Sequence, residues 1–154
     1  MPLNQQGITF LELLLVIAII VVLAAAATPI YSNFQPQSQL NGSVSQIVQS
    51  LRTGVEFSKA RYNNAGHGLY LEINPGNDRV ILYQGDSYAT RDSSYDRIIT
   101  MDPPITLSSS LPGNEVNFTK GTGYPNNTGT IVIAHSAAGS RSITINAYGV
   151  IDAN

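Results

Sequence analysis

Gly7-Ile8-Thr9-Phe10-Leu11-Glu12 opens an apolar run that continues from Leu13 to Ala27, and its reading governs the rest of the chain. From Ile8 to Ala27 the only polar side chains are Thr9 and Glu12. Wound as an α-helix at about 1.5 Å per residue, the run would extend about 30 Å, the thickness of a bilayer's hydrocarbon core. It is long enough to cross a membrane once. Glu12 is the anomaly. A carboxylate at the centre of such a helix costs about 2.5–3.5 kcal/mol by insertion scales, and such groups mark functional positions. Glu12 lies toward one end, where the cost is smaller, but it still calls for a partner.

These residues resemble the class III signal of type IV pilins and type II secretion pseudopilins. The likeness rests on Gly7, the Ile-Thr-Phe-Leu-Glu that follows it, and the Ile/Val/Leu/Ala run behind. Pro29 matches a proline common in pilin helices. The resemblance implies that a prepilin peptidase cuts after Gly7 and that Ile8 becomes an N-methylated first residue. Glu12 would be the assembly residue, neutralising the α-amine of an adjacent subunit. The chain would be a structural subunit rather than an enzyme, without a cofactor. Its partners would be copies of itself or other pilins and pseudopilins, the peptidase, the membrane and the inner-membrane assembly machinery. It would sit as a single pass in the inner membrane, then move into a pilus or periplasmic pseudopilus. Two positions depart from the pattern. Ile8 stands where the family usually has Phe, and the leader Met1–Gln6 carries no Lys or Arg.

A different reading is an ordinary signal peptide, with Ala25-Ala26-Ala27 as a small-residue cleavage site. It would release a secreted β-rich adhesin or enzyme. The n-region without positive charge and the carboxylate of Glu12 both argue against it.

Composition narrows the classes further. A leader and a membrane segment taken from 154 residues leave about 90–120 residues, enough for one modest core. Net charge is −2 and only 12% of residues are charged, so no footprint for nucleic acid or anionic lipid is present. With no cysteine, disulfides and thiolate metal sites are excluded. Ser, Thr, Asn and Gly abound after residue 60, as in an extracytoplasmic β-rich domain.

Along the chain, Pro29 is expected to kink a helix, and Pro36 and Gly42 to interrupt it again. Leu40, Val44, Ile47, Val48, Leu51 and Val55 then recur at spacings of three and four, which predicts a helix from Asn41 or Ser43 to about Tyr62. Its apolar stripe should lie on a sheet, with Arg52 and Glu56 an i,i+4 pair. Asn63-Asn64-Ala65-Gly66 supplies left-handed caps. From His67 the period becomes two. His67–Ile73 and Arg79–Tyr83 predict a hairpin around Asn74–Asp78. Further strands are expected at 97–101, 105–107, 114–118, 130–134, 142–147 and 150–152, with 85–96 a surface loop. The fold class is α+β, a long N-terminal helix packed by its second half on an antiparallel sheet. The expected divisions are a leader at 1–7, the membrane and assembly half of the helix at 8–28, its second half at 29–62, and the β domain at 63–154. The order of elements also resembles the GspH/FimT-like pseudopilin domain. That likeness rests on Val116-Asn-Phe-Thr119, the Gly-containing loop after it, and Ile143–Ile151.

Other constellations are weak. His67 and His135 show no metal spacing and read as surface or strand-end residues. Asp86, Asp92 and Asp96 could supply hard oxygen ligands for Ca²⁺, but no EF-hand spacing is present and Arg91 intervenes. Solvated loop acids are the better reading. No nucleophile elbow or phosphate-cradling loop is present. The tyrosines at 83, 88, 95 and 124 read as half-buried packing residues, with exposed adhesive contacts the alternative.

Overall fold

The computed structural model describes residues 9–154, with side chains given throughout except at 26–33. Gly7 and Ile8 lie outside the described residues. The chain divides into two compact units, Met1–Gln35 and Pro36–Asn154. Helix α1 runs Phe10–Lys59.

In the second unit the predicted stripe is the buried face. Leu40, Ile47 and Leu51 are fully buried and Val55 nearly so, while Gln46, Gln49, Arg52, Glu56 and Lys59 face solvent. Each such aliphatic side chain contributes about 1.5–3 kcal/mol on burial. That explains a correction to the sequence reading: α1 continues through Pro36 and Gly42 instead of beginning at Asn41 or Ser43. A glycine costs a helix about 1 kcal/mol, less than burial of Leu40 or Ile47 returns. Thr28 and Pro29 also fall within α1, their side chains outside those described. The Arg52–Glu56 pair is replaced by Lys59–Glu56 at 3.4 Å, one turn nearer the helix end. Beyond Lys59 a 3-10 turn, Tyr62–Asn64, brings Asn63 and Asn64 to positive φ as expected, and Arg61 as well.

Eight strands follow: β1 His67–Glu72, β2 Arg79–Gln84, β3 Arg97–Thr100, β4 Ile105–Ser109, β5 Glu115–Phe118, β6 Gly129–His135, β7 Gly139–Ile145 and β8 Ile151–Ala153. All pairings are antiparallel, but they form two four-stranded sheets, β3-β2-β1-β5 and β4-β6-β7-β8, not one. The break falls at Asp102-Pro103-Pro104, between β3 and β4. Two consecutive prolines lack N–H donors and cannot continue a ladder. Leu69, Leu71, Val116 and Phe118 from the first sheet and Leu107, Ile131, Ile133, Ile143 and Ile145 from the second join the α1 stripe in one core.

Side chains tie these layers together. Asp78 is buried in the β1–β2 turn, and its carboxylate accepts from Asn74 N–H at 2.8 Å and Leu107 N–H at 2.6 Å. The second bond links one sheet to the other. Asp78→Ala strands a buried N–H in β4 and loses two charge-assisted bonds, so a destabilisation of about 2–4 kcal/mol is expected. Denaturant midpoints of the two proteins check it, and Asp78→Asn should lose less. On the far side, Gln37 Nε2 donates to Ala138 O at 3.1 Å. His135 Nδ1 accepts from Ala137 N–H at 3.0 Å, which makes Nε2 the donor to Gln39 Oε1 at 3.1 Å.

Candidate functional site

Thr9 sets the first turn of α1. Its hydroxyl accepts from Glu12 N–H at 3.3 Å and its carbonyl from Leu13 N–H at 3.1 Å. This is the N-cap geometry that Thr-x-x-Glu favours, and it places an acid in the first turn, where the helix dipole is positive. Among the described residues the Glu12 carboxylate has no hydrogen-bond or ion-pair partner. Ile8, four residues before it in the sequence, lies outside the described residues.

Behind Glu12 the helix is apolar on every side. Large hydrophobic residues from Phe10 to Leu23 are between 46% exposed at Val16 and 80% exposed at Phe10. Leu11, Leu14, Leu15, Ala18 and Val22 line one concave face of it. A helix that is hydrophobic all round is stable only when buried, in lipid or among other helices. Among the described residues no helix is long and apolar enough to cross a membrane. The described apolar side chains end at Ala25, about 24 Å of helix from Phe10, and Ala26 and Ala27, which complete the run, lie outside them.

The loop acids have local partners. Asp92 accepts from Ser94 N–H and Ser94 Oγ at 3.0 and 2.6 Å and so caps the 3-10 turn Ser93–Tyr95. Asp96 pairs with Arg91 at 2.9 Å, and Asp86 is exposed. Among the described residues no three acidic, histidine or cysteine side chains stand together as a metal site.

Arg91 lies 3.7 Å over the ring of Tyr88, which stacks on Tyr70 at 3.7 Å. The 85–96 loop is thereby packed, not merely solvated. Tyr83 is fully buried and donates to Glu115 Oε1, which also accepts Tyr88 N–H at 2.8 Å. Burial, reinforced by the Glu115 carboxylate, pushes the Tyr83 phenol far up, so it remains a donor at any physiological pH. Tyr95 and Tyr124 are exposed.

Both histidines stand at strand ends, as expected, but neither is on the surface: His67 opens β1 and His135 closes β6, both buried. His67 Nδ1 has no hydrogen-bond partner, a cost of about 1–3 kcal/mol for a buried group. Burial, aided by Arg97 and opposed by the Gln84 side chain, holds its pKa below the ordinary value. No spacing in the sequence singles out His67, since its neighbours come from α1, β2 and the loop before β3.

A family model for the prokaryotic N-terminal methylation motif matches residues 2–28. The chain is similar to the fimbrial protein EcpB of Eikenella corrodens, 38% identical over 78 residues, or 51% of this chain and 45% of that protein. It is also similar to the type IV major fimbrial protein FimA of Dichelobacter nodosus, 44% identical over 52 residues, 34% of this chain and 33% of that protein. A fimbrial protein of Pseudomonas aeruginosa is 42% identical over 52 residues, with 34% and 33% covered. The chain thus spans less than half the length of these relatives. No solved structure matches.

Proposed function

We propose, from the match of residues 2–28 to the prokaryotic N-terminal methylation motif and the likeness to fimbrial proteins, that the protein is a structural subunit of a type IV pilus-like filament. The observation that carries this reading is the exposed apolar helix headed by Glu12, which finds no partner within the described chain. A prepilin peptidase cuts after Gly7, and Ile8 becomes the first residue, its α-amine largely protonated at neutral pH. The chain waits in the inner membrane through the Ile8–Ala27 segment. Moving that helix from lipid to a bundle of like helices gains no hydrophobic energy, because lipid is as apolar as leucine. Close packing and the pairing of Glu12 with the Ile8 amine of a neighbouring subunit must favour the transfer. Assembly machinery in the inner membrane then supplies the work. As part of the filament, the two-sheet unit reaches the cell surface.

A pilus is favoured over a type II secretion pseudopilus because the relatives are named as fimbrial proteins. The GspH/FimT-like order of β5 and β7–β8 supports a minor role within such a filament.

The reading is tested by expressing the chain in a host with pilus machinery and shearing the cells. The chain should sediment with filaments. Recovery as a soluble protein in the medium contradicts the reading. Gly7→Val, which places a branched side chain beside the scissile bond, should leave the uncut precursor in the membrane, seen as a larger intact mass.

A further inference from the structure

Each four-stranded sheet has two edge strands, and the chain itself closes the edges at β5 and β4. Beside β5, Asn117 N–H donates to Asn126 Oδ1 at 2.7 Å, and Asn117 O accepts from Asn126 N–H at 2.8 Å. Asn127 Nδ2 donates to Glu115 O along the same edge. Beside β4, the N–H groups of Ile105 and Leu107 reach Asp102 O and the Asp78 carboxylate. The edges at β3 and β8 have no such cover. Residues of an antiparallel strand turn their backbone groups alternately toward and away from the neighbouring strand. Met101 N–H donates to Asp78 O in continuation of the β3–β2 ladder, so Ile98 and Thr100 point away from it. Ser142 and Asn154 exchange two bonds in continuation of the β7–β8 ladder, so Ile151 and Ala153 point away. Among the described residues no hydrogen bond takes up the outward backbone groups of these four.

The two open edges also complement each other in their side chains. Ile98 is 54% exposed and lies on the other face of its sheet from Val80 and Leu82, which enter the core. Ala153 is paired with buried Ile143 and so lies on the core-facing side of β8. It borders a groove of about 530 Å³ floored by half-buried Val44, Val48 and Phe57 of α1. We propose that the β8 edge and this groove receive β3 of a second copy, antiparallel, with Ile98 opposite Ala153 and Thr100 opposite Ile151. That register satisfies the outward groups of all four residues. It also turns the exposed Ile98 onto the Val44–Val48 floor, because directly opposed residues share a face. Arg97 has no carboxylate partner among the described residues and then stands diagonal to Asp152, within reach of a long side chain. Like edges fit less well. β8 against β8, with Ile151 opposite Ala153, sets Asp152 against Asp152. β3 against β3, with Ile98 opposite Thr100, sets Asp96 against Asp102. Pairing of unlike edges is head-to-tail and propagates from copy to copy.

Strands this short do not hold two copies together alone, so the contact rests on the filament reading, in which α1 helices keep copies side by side. The chain has no cysteine, which makes cross-linking specific. Ile98→Cys and Ala153→Cys are combined in the full chain, expressed in a host with pilus machinery, and the sheared filaments are mildly oxidised. Opposed residues of a hydrogen-bonded pair have Cα atoms about 5.5 Å apart, a separation that a disulfide spans. The expected result is a ladder of dimers, trimers and longer chains on non-reducing electrophoresis, absent with either cysteine alone. Filaments in which the double variant stays monomeric overturn the proposal. So do dimers from a single-cysteine chain, which would mean that like edges pair. If the unmutated chain forms no filaments, the filament reading fails and this contact fails with it. Where the cysteines themselves stop assembly, Arg97→Asp and Asp152→Arg decide. Filament yield should fall about threefold in each and recover when both are combined. Absence of that recovery overturns the proposal.

Discussion

Glu12→Ala is expected to abolish filaments while leaving the chain in the membrane. Removing the carboxylate lowers the cost of the apolar segment in lipid, so insertion persists. Assembly is where the loss appears. Each incoming subunit would bury the charged Ile8 amine among helices with nothing opposite it, and breaking a buried ion pair in this way costs about 3–5 kcal/mol. At about 1.4 kcal/mol per tenfold, filament yield should fall by two orders of magnitude or more. Glu12→Gln keeps a hydrogen-bonding group without the charge and should fall between. Filament counts by electron microscopy, set against membrane-fraction immunoblots, measure both terms. Normal filament numbers with Glu12→Ala would remove the pairing role.

The second large effect is expected at Gly68, in the middle of the first sheet. β1 is flanked there by β2 and β5, with Gly68 opposite Tyr83 and Asn117. A methyl group on Gly68 would fall onto the Tyr83 hydroxyl and stand 2.6 Å from the Val116 carbonyl oxygen. Neither neighbour can yield cheaply. Val116 O is ladder backbone, and the Tyr83 hydroxyl is held by Glu115 Oε1 and by Asn117 Nδ2 at 3.1 Å. Gly68→Ala should therefore cost about 3–5 kcal/mol, a large part of the 5–15 kcal/mol that holds a typical domain. Gly54→Ala, where the nearest atoms are Leu82 and Phe118 side chains at 3.3 Å, should cost distinctly less. Denaturant midpoints of both variants check the order. Equal and small effects would mean that Tyr83 moves freely.

These glycines also mark what the sequence makes legible. The α1 stripe is readable because Leu40, Ile47, Leu51 and Val55 repeat with the helical period, and the β1–β2 hairpin because alternation and turn residues agree. Pro36 and Gly42 mislead, since local breakers are weighed against tertiary burial that the local pattern does not contain. The division into two sheets is hidden for a related reason. β5 returns to β1 and β4 goes to β6, pairings set by the fold rather than by neighbouring residues. An isolated glycine within a strand pattern is a recognised sign of close approach, and Gly68 could have been found that way. Glu12 is legible as a lone acid in an apolar run, and no partner for its carboxylate stands among the described residues. His67 gives no such sign, because only the folded contacts of Phe57, Gln84 and Arg97 single it out.

The most direct measurement is the first residue of the chain recovered from sheared filaments, read by intact mass and N-terminal sequencing. The account predicts Ile8, carrying one added methyl group on its amine, with the whole apolar helix and Glu12 retained. A mature chain that begins at Thr28 would contradict it.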